Sequence, residues 1–100
     1  MENQHRKING YRELSQEEID LMNEVKAMGP QLQALTTKIR QHIERQRETV
    51  TDRFQDPEAQ QAELARLDAA EPMKWANWGH DSGQTVLMYL TRAVAQPTFY

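Results

Sequence analysis

From Ser15 onward the apolar positions recur with a helical period. Leu21, Val25, Met28, Leu32, Leu35, Ile39 and Ile43 follow one another at steps of four and three residues, which places them on one stripe of a helix. Just ahead of that stripe, Ser15 and Glu18 have the S-x-x-E spacing of a capping box, in which each side chain satisfies a backbone amide of the other at the helix start. Leu14 and Ile19 stand at the spacing of a hydrophobic staple. A helix is therefore expected from Gln16 to about residue 52. Gly29-Pro30 falls inside it. Proline removes one backbone hydrogen bond and crowds the preceding turn, so a kink or short break is expected there. The apolar phase is the same on both sides, which predicts that both halves pack on the same partner.

Asp56-Pro57 is a second start signal, aspartate as cap and proline in the first turn, so the chain is expected to reverse between residues 50 and 56. A helix over about 57–70 has only Leu64 and Leu67 as large apolar anchors, and Glu71-Pro72 interrupts it. A further helix over about 73–95 carries Trp75, Trp78, Val86, Leu87, Leu90 and Val94, and Gln96-Pro97 ends it. Gly79 and Gly83 lie four apart on one face, marking either a close helix contact or a loop, and the surrounding pattern favours the helix. There is no strand alternation, no internal repeat and no biased segment beyond the Gln-rich stretch around residues 55–65. The expected fold is all-α: a single domain made of an antiparallel helical hairpin, preceded by a short N-terminal arm over residues 1–15.

Composition narrows the chemistry. The chain has 100 residues, with 12 basic against 15 acidic side chains and a net charge of -3, so no global positive field draws long nucleic acid or an anionic membrane. A chain this short encloses little interior, and self-association would help it. The absence of cysteine excludes disulfides, thiolate metal sites and cysteine nucleophiles. With no apolar run near membrane-spanning length and a polar N-terminus, the expected setting is the cytoplasm.

Catalytic constellations are absent from the pattern. His5, His42 and His80 lack partners at the spacing of a helix-borne metal pair, and surface or capping roles suit them. The segment GHDSG, residues 79–83, matches neither a metal phosphohydrolase, for want of a second ligand set, nor the G-x-S-x-G elbow of hydrolases. No enzyme and no cofactor are expected. Between Lys38 and Arg53, Glu44 and Glu48 interleave with Arg40, Arg45 and Arg47, as on a solvated, ion-paired helix face. Trp75 and Trp78 suit a subunit interface better than a base-stacking platform, since so short a hairpin has little room for two indoles. One reading of these features is a helical assembly or adaptor protein whose Trp75, Trp78, Phe99 and Tyr100 make protein contacts.

The N-terminal segment differs in kind. Arg6, Lys7 and Arg12 lie outside any amphipathic pattern, Asn9-Gly10 signals a turn, and Tyr11 follows it just before the helix cap. Lys26 adjoins Val25 at the edge of the apolar stripe, where its stem can lie along packed side chains while the ammonium reaches water. Periodicity alone reads these as a tyrosine folded back on the helix and a solvated lysine.

The opening MENQHRKINGYRELSQEEIDLMNEVK and the ending LTRAVAQPTFY resemble the phage anti-CBASS proteins of the cyclic-oligonucleotide sponge type, distant relatives of the Thoeris anti-defence sponges. The likeness covers residues 1 to about 30 and about 72 to 100, and Gly29 to Glu71 departs from it. The resemblance implies a small helical protein that assembles as a hexamer in the cytoplasm of an infected bacterial host. It implies tight binding of cyclic dinucleotides such as 3′,3′-cGAMP without cleavage, and of cyclic trinucleotides in separate pockets of members that bind them. An aromatic stacking on the bases and a lysine meeting the phosphates match Tyr11 and Lys26. Arg6, Lys7, Gly10 and Arg12 would support them, the basic residues by adding local positive potential to a net acidic protein. Trp78, His80, Gly83 and Tyr89 depart from the family's pattern, so no trinucleotide residues are carried over.

Overall fold

The computed structural model describes residues 12–98, and every element among them is a helix: α1 (Gln16–Glu48), α2 (Val50–Arg53), α3 (Pro57–Ala70) and α4 (Pro72–Ala95). The chain falls into two compact units. One joins the residues up to Gln31 with those from Gly83 onward, and the other is Leu32–Ser82.

Helix α1 begins on the capping box. The amide of Ser15 donates to Glu18 Oε1 at 2.8 Å, and the amide of Glu18 donates to Ser15 Oγ at 3.2 Å. It then runs through Pro30 without a break, so the short break expected at Gly29-Pro30 does not occur. Pro30 is exposed, which gives its ring room on the solvent side, and the missing amide costs the helix one bond, to the Lys26 carbonyl. The helix ends at Glu48 rather than near residue 52. Thr49 leaves helical geometry at φ -100° and ψ 14°, and its hydroxyl donates back to the Arg45 carbonyl at 2.5 Å.

In the first unit, Met22, Val25 and Gly29 of α1 are half-buried, as are Gly83, Leu87, Thr91 and Val94 of α4. A Cβ on Gly29 would meet Leu87 Cδ1 at 3.9 Å, an ordinary contact that shows how near the two segments lie. Large apolar residues remain outside this packing: Leu21 is 43% and Met28 49% exposed. In the second unit Leu32, Thr36 and Ile43 turn inward while Leu35 and Ile39 stay exposed. The packed face of α1 is thus rotated from the apolar stripe toward its small residues, and only part of the stripe is covered within the chain.

The second unit holds the buried hydrophobic side chains of the described residues, Val50 and Leu67. Its cross-pairings run in opposite order along the chain. Arg53 pairs with Glu63, Arg47 with Asp68 and Arg40 with Asn77. Helix α3 starts where Asp56 accepts the Glu58 amide and Pro57 occupies the first turn. It stops at Glu71, which adopts left-handed φ 48° and ψ 51° before Pro72 opens α4. Gly79 and Gly83 both lie within α4, and a Cβ on Gly79 would have nothing within 4 Å.

Candidate functional site

Of the residues singled out in the sequence, Arg6, Lys7, Gly10 and Tyr11 lie outside the described residues. Lys26 is exposed on α1, directly after the half-buried Val25. Pro30 lies one turn further along α1 and has no amide to donate to the Lys26 carbonyl.

Arg12 is placed very differently from a solvated cation. Its Nε donates to the Ala95 carbonyl at 3.1 Å and its Nη2 to the Val94 carbonyl at 2.9 Å. On its other side Nη1 donates to Glu18 Oε1 at 3.2 Å, and Nη2 pairs with Glu18 Oε2. Glu18 sits in the first turn of α1, where the helix dipole already favours an anion, and the two carbonyls belong to the last turn of α4, where it favours a cation. The guanidinium hydrogen bond, reinforced by the Ser15 amide, lowers the Glu18 carboxyl from 4.5 to about 2, and the same bond raises Arg12. Arg12 therefore spends its fork on protein acceptors.

In the second unit, Trp75 and Trp78 make a T-shaped pair with ring centroids 5.0 Å apart and planes at 85°, and they are 57% and 53% exposed. Lys74 lies over both, with Nζ 5.0 Å from the Trp75 ring and 4.9 Å from the Trp78 ring, and it pairs with Glu71 at 3.1 Å. The sequence reading passed over Lys74. Its signal was the spacing, one residue before one tryptophan and four before the other on the same helix.

A cavity of about 200 Å³ beside this cluster is lined by Leu32, Thr36, Ile39, Trp75, Gly79 and His80 among others. A second, of about 410 Å³, has Arg47, Asp68, Glu71 and Lys74 on its walls. His80 Nδ1 lies 3.3 Å from Asp81 Oδ1. Among the described residues no group of three or more histidines and acids could hold a metal ion, and no helix is long and apolar enough to cross a membrane.

No protein-family model matches the chain. A curated relative, Anti-CBASS protein 2 of Pseudomonas phage JBD67, is 43% identical over 107 residues that take in 97% of this chain and 97% of the relative. The chain belongs to the anti-CBASS protein 2 family. The alignment with that relative runs across the segment between Gly29 and Glu71 as well as the two ends.

Proposed function

We propose that this protein counteracts CBASS defence by sequestering cyclic dinucleotide second messengers such as 3′,3′-cGAMP, without cleaving them, so that the host effector stays unactivated. Cyclic trinucleotides would occupy separate pockets. The observation that carries this reading is the 43% identity, over nearly the whole of both chains, to a phage protein named for opposing CBASS. Tyr11 stacks on the bases and Lys26 meets the phosphates, and the exposure of Lys26 on α1 is compatible with that role.

The protein acts as a homo-oligomer, a hexamer of helical hairpins, in the cytoplasm of the infected bacterium. Packing supports association: Val50 and Leu67 are buried, while Leu21, Met28, Leu35, Trp75, Trp78 and Tyr89 are each more than two-fifths exposed. Unpartnered apolar surface of that extent is what subunit interfaces cover. A two-fold contact would also present Tyr11 and Lys26 twice to a ligand that has two bases and two phosphates. One copy is too little. Stacking contributes about 1 to 3 kcal/mol per base, whereas nanomolar affinity requires about 12 kcal/mol.

A second reading, a helical adaptor with no nucleotide ligand, is favoured by the exposed Trp75 and Trp78 alone. Isothermal titration with 3′,3′-cGAMP, then heat denaturation and chromatography of the released ligand, separates the cases. Tight binding with intact ligand is expected. No heat with a panel of cyclic di- and trinucleotides would favour the adaptor, and cleaved product would mean an enzyme.

A further inference from the structure

Arg12 has the composition of a ligand-binding cation and the geometry of a fastener. Four hydrogen bonds leave its guanidinium: two to the carbonyls of Val94 and Ala95 and two to the carboxylate of Glu18. Two of the three partners sit more than 80 residues away in sequence, at the far end of α4. A planar guanidinium can satisfy this set because its donors point in fixed, divergent directions; an ammonium cannot reach three acceptors so arranged. The charge is matched at short range by Glu18, which removes most of what Arg12 could offer an anion in solution.

We infer that Arg12 is a positioning residue, which ties the start of α1, the helix that carries Lys26, to the C-terminal turn of α4 and so supports dinucleotide binding without touching the ligand. The inference rests on the sponge reading, and it replaces a direct phosphate contact by Arg12 with a mechanical one. A site gains affinity when the helices that carry it are held in place before the ligand arrives, because less ordering is left to the binding step.

The two roles predict opposite signs at Glu18. If Arg12 met the ligand phosphates directly, removing the adjacent negative charge in Glu18→Gln would free the cation and tighten binding. If Arg12 is a fastener, the same change loosens it and weakens binding, although glutamine keeps the capping-box bond to the Ser15 amide. Arg12→Lys separates the roles again, since it preserves the charge and loses the fork.

The experiment titrates 3′,3′-cGAMP into the full chain as wild type, Arg12→Lys and Glu18→Gln, with amide hydrogen exchange over residues 12–18 measured without ligand. We expect both variants to bind about tenfold or more weakly, to exchange faster at that segment, and to keep wild-type helix content and mass. Wild-type affinity in Arg12→Lys, or tighter binding in Glu18→Gln, would overturn the inference while leaving the sponge reading in place. A wild-type protein that does not bind the dinucleotide would overturn the sponge reading first, and the positioning role with it.

Discussion

Arg53 reaches ten residues along the chain to Glu63, its Nη1 donating to Oε2 at 3.0 Å, while Arg66 Nε donates to the other carboxylate oxygen at 2.6 Å. Glu63 is only 8% exposed, so the pair of arginines is what makes its burial tolerable. The same guanidinium of Arg53 also donates to Thr49 Oγ1 at 3.1 Å and to the Gln46 carbonyl, and lies 5.2 Å from the Phe54 ring centre. The Arg53 guanidinium thus gathers the end of α1, the α2 turn and the middle of α3 within the second unit.

The Arg66 bond, helped by Arg53 and opposed by burial, lowers the Glu63 carboxyl from 4.5 to about 2. A carboxylate depressed in the folded state stabilises the protein fully above its unfolded value and loses that contribution as pH falls toward the folded one. Stability against heat should therefore fall as pH drops from about 4.5 to about 2. In Glu63→Gln the melting temperature should be lower at pH 6 and should fall less over that window. Parallel curves for the two proteins would show that Glu63 is not the group responsible.

Glu71 holds a left-handed backbone at φ 48°, a region that costs a side-chain-bearing residue energy and a glycine almost none. Glu71→Gly should raise the unfolding free energy in urea by about 1 kcal/mol. Its ion pair with Lys74 is exposed, so its loss subtracts little. A decrease in stability would mean that the carboxylate matters more than the backbone.

Asp56 accepts the Glu58 amide at 3.3 Å and starts α3. Asp56→Ala should cost about 1 kcal/mol, read from the shift of the denaturation midpoint at unchanged slope.

Tyr11→Ala and Lys26→Ala should each abolish dinucleotide binding in titration while leaving circular dichroism and assembled mass unchanged. Lys26 is exposed on a helix, where alanine is well tolerated. Retained binding with only a lowered melting temperature would sink the site assignment.

If copies of the chain cover the indole pair, replacing both Trp75 and Trp78 by serine should reduce the mass measured by sedimentation without loss of helix content. Both rings are more than half exposed, so the single chain loses little packing by the change. An unchanged mass would place the subunit contact elsewhere.

The element boundaries were legible along the chain because caps and breakers act over three or four residues. Ser15 with Glu18, Asp56 with Pro57, Pro72, and Gln96 ahead of Pro97 mark starts and stops found at those places. Thr49 was not legible, because its back-bond to Arg45 competes with a helix that propensity alone would continue. The family was legible too, in the opening and closing residues. Which face of α1 is packed depended on three dimensions: Leu21, Met28, Leu35 and Ile39 have the right period, yet Gly29 and Thr36 take the inner face because their small side chains let a neighbouring segment approach. Arg12 shows the same division. Sequence places it among basic residues beside Tyr11, as a charge; only the folded chain brings the carbonyls of Val94 and Ala95 to it, and hydrogen-bond geometry at that junction, not net charge, decides what it does.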